Sequence, residues 1–577
     1  MNYRKNPDIR IPGHASHRGW QQVAGQIQKA IGGRSACVVA VDCYMGTRVD
    51  EIIQGLLRHI PFDLVLRSED AARPGEEIDR MLKRNLTEDR VFGVMSAYLN
   101  LAEFFIPEAL AAMQAQAAGH QGLVLVCGVG AALAARADIL VVADLARWEI
   151  QQRYRSQEMG NWRADNLEED VLRKFKRGFF VEWRVCDKHK RGLFPLMDFL
   201  LETNRREDPV MIARAAFEAA MDQVSSAPFR TVPYFDPGVW GGQWMREKLG
   251  LPEGPGNYAW SFDGVVEENS LLLAIGGNLM ELPAMNLVMT RPEALLGPRV
   301  YSRFGAEFPI RFDFLDTWDG QNLSLQVHPS TQYIRETFGM AYTQDESYYI
   351  LDAKPGAEVY LGLKEGIDPD KMMADLKTAD SGGAPFPADA YINRFQVRKH
   401  DHVLIPAGTV HCSAEGCMVL EISATPYIFT FKLWDWGRLG LDGRPRPVHL
   451  AHGANSIRWE RDTRWVTENL LHQEHLEQEG PGWRLDHTGL HELQFLRTQR
   501  ITAHVPVTLE NDGSFSMLNL VEGEQALIES PTGAFAPFPV YYAETFIIPY
   551  GAGDFVVRPA PGQEGPGVKV IRALVKG

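Results

Sequence analysis

Residues 323–329 read "LSLQVHP", a short apolar run of strand character. It carries two potential metal donors, Gln326 and His328, two positions apart. Side chains alternate across a strand, so residues two apart share a face. Alone, the pair fits either half of a coordination shell or two polar positions that touch solvent, and the downstream sequence decides between these. "YTQDESYYILDA" (342–353) sets Glu346 at the start of another strand, and "HVLIPAGTVHCSAEGCMVLEIS" (402–423) sets His411 just after a Pro-Ala-Gly turn. Two imidazoles, a carboxylate and an amide are nitrogen and oxygen donors that suit Zn²⁺ or a similar divalent ion. Such a shell leaves positions open to water or substrate, which favours catalysis over a purely structural role.

Around this stretch the chain is rich in short strand patterns: "NSLLLAI", "FPIRFDFLD", "SYYILDA", "AEVYLGL", "HVLIPAG", "MVLEISA" and "YIFTFKLWD". Many short strands with Gly/Pro turns predict a sandwich or barrel, with a jelly roll as the leading candidate. A helix is expected at 366–380, "GIDPDKMMADLKTAD". The charged stretch 458–480 separates a last β-rich block, 485–577, in which no further metal set is expected.

The first 205 residues have a different texture. "ACVVAVD" (36–42), "QGLVLVCGVGAALA" (121–134) and "ADILVVADLARWEIQQRYRSQ" (137–157) alternate strand and helix signals, which predicts an open, mostly parallel α/β sheet. The expected division is 1–205 α/β, 206–227 linker, 228–460 metal-bearing β domain and 461–577 C-terminal β domain. "DCYMGTR" stands where a nucleotide-binding fold would place its phosphate loop, but it has one glycine and no lysine, so a working P-loop is not expected. The layout resembles small-molecule kinases of the uridine kinase type, which implies a degenerate P-loop-kinase-like module. Asp42, Arg48 and Lys190 are its candidate binding residues. The basic run 173–191, "RKFKRGFFVEWRVCDKHKR", reads as a phosphate-handling lid or a solvated face.

The bulk numbers bound the function. A chain of 577 residues is too long for one core. A net charge of −15 argues against a general nucleic-acid binder. Six scattered cysteines without a CxxC fit a reducing compartment. The polar N-terminus "MNYRKNPDIRIPGH" is no secretory signal, and no apolar run approaches a membrane span. A cytoplasmic protein, acting on a small molecule and free to form a homo-oligomer, is the expectation.

Taken in order, "VPYFDPGVWGGQWM", "PIRFDFLD", "LSLQVHP", "ESYYILDA" and "IPAGTVH…MVLEIS" resemble type I mannose-6-phosphate isomerase, a zinc enzyme of the cupin class. The resemblance covers about 228–450 and extends toward the C-terminus as a second cupin-like barrel. It implies one zinc ion per chain held by Gln326, His328, Glu346 and His411. It also implies isomerisation of mannose 6-phosphate to fructose 6-phosphate, or of a related sugar, through a cis-enediol. Ser324 matches a serine that helps hold the substrate phosphate.

Three positions depart from the family pattern. Where the family has an arginine after the last ligand, "FTFKLWDWGR" has Lys432, with Arg438 a turn further on; these two are the candidate catalytic cations. Lysine keeps the charge but loses the planar fork. The lysine of the strand before "QVHP" is replaced by Asp313, with Arg311 on the same strand face, and the lysine two before the glutamate ligand is replaced by Gln344. A carboxylate facing a phosphate dianion costs roughly 1–4 kcal/mol at close range. Either another cation (Arg311, Arg438 or Lys364) serves the phosphate, or the substrate is a different sugar. A sugar-sensing regulatory protein without turnover is the alternative reading.

Overall fold

The computed structural model describes residues 2–492 and 494–576. The chain forms two compact units. One is α/β and comprises Asp8–Val224 and Ser270–Arg291. The other is β-rich and comprises Met1–Pro7, Ser225–Asn269 and Pro292–Gly577.

In the α/β unit a seven-stranded sheet runs in the order Ser16–Arg18, Val210–Ala213, Phe199–Glu202, Ile139–Asp144, Cys37–Cys43, Leu123–Gly128, Leu64–Arg67. The last five strands are mutually parallel, and the first two close one edge antiparallel. The central strands are buried at all positions but Val38 and Leu123, as expected of strands covered on both faces. Residues 206–227, read from sequence as a linker, carry strand Val210–Ala213 and helix Arg214–Val224, both within this unit as far as Val224. "NSLLLAI", read as part of the β domain, also lies here. Ser270–Ile275 and Asn278–Pro283 form a hairpin, and the first of these strands pairs parallel with Asp8–Ile11. Its two-residue turn is Gly276–Gly277, with φ of 57° and 86°, the left-handed pair that tight hairpins demand. Strand character is local and legible, whereas the partner strand is not.

The basic run 173–191 is neither a lid nor a solvated face. It forms helices Val171–Arg177 and Trp183–Leu193 joined by a π-helical turn. Lys174, Lys176, Arg177 and Lys190 are buried. Lys174 donates to the carbonyls of Tyr154 (2.8 Å) and Leu167 (2.9 Å), and Arg177 pairs with Glu182 at 3.0 Å. Lys190 sits 3.0 Å from both oxygens of Asp144. Asp42 accepts from the amide of Ala132 (2.8 Å) and faces His189 Nε2 at 3.1 Å, while Arg48 pairs with Glu158 at 2.5 Å. The three candidate binding residues of this unit are thus held by internal partners.

The β-rich unit contains two pairs of antiparallel sheets. In the first pair, a six-stranded sheet runs His402–Ile405, Glu346–Ala353, Cys417–Ala424, Ile310–Asp316, Trp260–Gly264, Tyr234–Asp236. Its companion runs Ile392–Gln396, Glu358–Leu363, His411–Ser413, Leu325–Val327, Phe431–Trp434. The expected helix is Pro369–Asp380; Asp368 caps it by accepting from the amides of Asp370 and Lys371. In the second pair, six strands between His475 and Val575 accompany four strands between Val507 and Pro559. Leu485, Ile501, Leu518, Ile528, Val540, Phe555, Val557 and Val570 fill an apolar core there.

Candidate metal centre

Register places the donors. In the five-stranded sheet Gln326 pairs with His411 on one side and with Lys432 on the other. Directly opposed residues share a face, so these three form one cross-strand row, and His328 lies two residues further along. In the six-stranded sheet Glu346 opposes Ser423, which opposes Arg311; Tyr348 opposes Glu421, which opposes Asp313. Two polar rows therefore cross three strands of that sheet.

The rows bring four sequence-predicted donors together. His328 Nε2 lies 3.1 Å from Glu346 Oε2, and His411 Nε2 lies 2.6 Å from Glu346 Oε1. The two imidazole centroids are 5.1 Å apart, and Gln326 Nε2 is 3.3 Å from His411 Nε2. His328, Glu346 and His411 are 0% exposed. Each imidazole turns its Nδ1 toward a backbone carbonyl: His411 to Thr409 (2.9 Å) and His328 to Phe429 (3.4 Å). An Nδ1–H donated this way leaves Nε2 as the lone pair, the usual support of a metal-binding histidine. His328 Nε2 and Glu346 Oε1 are buried without a well-formed hydrogen bond. Lone pairs that converge without a donor between them are what a divalent cation satisfies, and the donor set fits zinc. Rotating the Gln326 amide by half a turn adds its oxygen. Burial alone would raise the Glu346 pKa, but His328 and His411 hold it well below the usual carboxylate range.

The other predicted residues divide into two groups. Arg311, Asp313 and Gln344 are buried on the six-stranded sheet's side of the site. Arg311 bonds to Glu421 and to Ser423 Oγ (3.1 Å), and its Nη2 lies 3.3 Å from Asp313. Burial would lower the Arg311 pKa, but Asp313, Glu421 and Glu346 raise it. Burial pushes Asp313 up to about 6, with Arg311 opposing. Gln344 donates to Glu346 (2.9 Å) and Glu421 (3.1 Å). Ser324 is buried just ahead of strand Leu325–Val327. Arg438, by contrast, lies beyond the strand end. Its guanidinium is held by Asp435 and by the carbonyl of Asn322 at 2.7 Å. Arg446 also reaches Asp435, at 2.7 Å.

Two residues that the motifs did not single out complete the surroundings. Glu421 is buried between Arg311 and Gln344. Burial, then the Asp313 and Glu346 charges, raise its pKa well above that of an ordinary carboxyl, against the pull of Arg311. The Tyr348 hydroxyl is buried without a hydrogen-bond partner among the described residues, and its ring is 5.8 Å from that of His411. The signal for Glu421 was available: a lone carboxylate in the mostly apolar strand "CMVLEISA" cannot be buried without a partner for its charge.

Known proteins match parts of the chain. The family profile described as "Domain of unknown function (DUF8485)" matches residues 19–226. The mannose-6-phosphate isomerase ManA of Bacillus subtilis is 26% identical over 252 residues, which is 44% of this chain and 72% of that protein. The mannose-6-phosphate isomerase of Streptococcus mutans is 26% identical over 222 residues, covering 38% and 64%. A crystal structure of the Bacillus subtilis mannose 6-phosphate isomerase aligns with a TM-score of 0.49 at 20% identity, covering 60% of this chain and 99% of that one. Part of the chain is thus homologous to mannose-6-phosphate isomerases. None of these matches bears on a kinase-like character for the α/β unit. Among the described residues no helix is long and apolar enough to cross a membrane.

Proposed function

We propose that the protein is a metal-dependent aldose–ketose isomerase acting on mannose 6-phosphate or a related sugar. The observation that carries this reading is the buried convergence of His328 Nε2, His411 Nε2 and the Glu346 carboxylate, in a chain of which part is homologous to such isomerases. Zinc held by these residues and Gln326 would act as a Lewis acid, offsetting the negative charge that grows on the sugar's carbonyl and hydroxyl oxygens. The chain's own residues supply the rest. A proton must leave C2 and return at C1, or the reverse, and a positioned acid–base group must carry it. Glu421, whose pKa burial and its carboxylate neighbours raise, is a candidate for that role, and Gln344 links it to Glu346. Lys432, paired in register with Gln326, and the Tyr348 hydroxyl are candidates to contact sugar oxygens. Ser324 is a candidate contact for the distal end of the sugar. Arg438, engaged by Asp435 and Asn322, positions the loop after strand Phe431–Trp434.

The charge pattern favours an unphosphorylated sugar over a phosphorylated one. Arg311 is already balanced by Asp313 and Glu421, so it brings no spare positive charge to a phosphate. Turnover of mannose against mannose 6-phosphate, on zinc-loaded and on EDTA-stripped protein, tests both statements. Absence of turnover for every sugar by zinc-loaded protein would leave only the sugar-sensing reading.

A further inference from the structure

A second histidine–carboxylate group lies in the C-terminal sheet pair, across the boundary between the charged stretch 458–480 and the block 485–577. His475 and Glu477 are on strand His475–Gly480, and His487 is on its hairpin partner Trp483–Gly489. Register sets His475 directly opposite His487, and the two rings lie with centroids 4.7 Å apart, tilted by 35°. The pairing then slips: Leu476 opposes Asp486 and Gln478 opposes Leu485, so Glu477 is an extra residue without a cross-strand partner. A bulge of this kind re-aims a side chain. Here Glu477 Oε1 comes to lie 3.2 Å from His487 Nδ1. One ligand atom from each of the three residues lies within 4.8 Å of the other two.

The group is supported from outside. The neighbouring strand Leu496–Ala503 supplies Arg497, 2.7 Å from Glu477 Oε1, and Gln499, 2.6 Å from Oε2. These contacts fix the carboxylate's direction. An ionised carboxylate has about four lone-pair sites. Arg497 and Gln499 take two, which leaves lone pairs for a cation shared with His487. His475 directs its Nδ1 toward the Gln473 carbonyl at 3.4 Å, and an Nδ1–H donated there leaves Nε2 with the lone pair. His475 is exposed and the other two are partly buried, so the group faces solvent at the sheet's edge strand.

We propose that His475, Glu477 and His487 form a second, solvent-open site for a divalent late transition metal, of which Zn²⁺, Ni²⁺ and Cu²⁺ are the members imidazole favours. Three protein ligands leave at least one position for water or an added ligand. The site is independent of the isomerase reading, since it shares no residue with the buried centre.

The test is metal stoichiometry on the full-length chain, stripped with EDTA and dialysed against buffered Zn²⁺ alone. Wild type is expected to retain two zinc ions per chain, His475→Ala/His487→Ala one, His411→Ala one, and the triple variant none. In the His411→Ala background, Glu477→Gln is expected to weaken zinc binding about 10–100-fold. Circular dichroism of each variant checks that the sheets are intact. Cu²⁺ bound to the His411→Ala protein should show imidazole nitrogen couplings in its electron paramagnetic resonance spectrum, and these should vanish in the triple variant. The proposal is overturned if the histidine double variant keeps as much zinc as wild type, or if nitrogen couplings persist in the triple variant.

Discussion

The two sheet pairs of the β-rich unit share an architecture and differ in what they bury. In the C-terminal pair the interior is Leu, Ile, Val and Phe, and its histidine–carboxylate group sits outside on an edge hairpin. In the other pair the histidines and Glu346 lie inside, with Arg311, Asp313, Glu421 and Gln344 beside them. Burying so much charge is costly unless every group is matched. The C-terminal pair has an apolar core, whereas the other pair holds a preorganised cluster of polar and charged groups. Single substitutions can separate these two regimes.

The largest expected effect is at the buried centre. His411→Ala should remove its metal and lower isomerase turnover by at least about 10²-fold, comparable to losing a preorganised electrostatic partner. Metal analysis alongside kinetics checks it; an unchanged buried-site metal content would disprove the ligand assignment. In the apolar pair Leu518→Ala should cost about 2–5 kcal/mol in a denaturant titration, yet leave zinc at the buried centre untouched. A loss of that zinc would mean that the two sheet pairs do not keep their roles apart.

A pH effect comes next. His402, buried in the pair that holds the Glu346 centre and 2.9 Å from Ser347 Oγ, has its pKa lowered by burial, with Arg500 adding to the effect, from 6.5 to about 3. Its folded-state pKa lies below the unfolded value, so the unfolded chain takes up a proton that the folded one refuses. The neutral imidazole's contribution is complete above pH 6.5 and is lost as pH falls toward 3. Each pH unit in that window removes up to about 1.4 kcal/mol. His402→Gln should flatten the acid limb of a melting-temperature profile between about pH 6.5 and 4; an identical slope would count against it. The smallest effect is at the cap of helix Pro369–Asp380. Asp368→Ala should cost about 1 kcal/mol without altering metal content, as read by thermal melting and metal analysis.

How much of this is legible in the sequence depends on how local each signal is. The "QVHP" pair, the Glu346 strand and the His411 turn each carry their donor in a short motif, and cross-strand register does the rest. The helix at 366–380 announces itself through Asp-Pro and its apolar spacing. What escapes is what depends on distant partners. "NSLLLAI" has strand character but no local mark that it pairs with Asp8–Ile11. The basic run 173–191 looks solvated because the carbonyls and acids that receive it lie far along the chain. His475, Glu477 and His487 become neighbours only through a bulge, which shifts the two-residue alternation that strand patterns rest on. Glu421 hid within an apolar strand pattern.

The hairpin Ser270–Pro283 has a consequence for how the molecule is made. It pairs with strand Asp8–Ile11, so the α/β sheet system completes only after the ribosome has translated some 270 residues beyond that strand's start. The wait is longer for Arg4, whose partner Glu544 lies near the other end of the chain, at 2.9–3.1 Å through the Arg4 amide and side chain. Neither unit can be recovered by cutting the chain at one peptide bond, because each is assembled from separated segments. A fragment ending near residue 224 would leave strand Asp8–Ile11 as an unpaired edge, prone to association with other chains. The smallest heritable piece of the α/β unit is therefore a split gene segment, and shuffling it into another protein would require carrying the hairpin along.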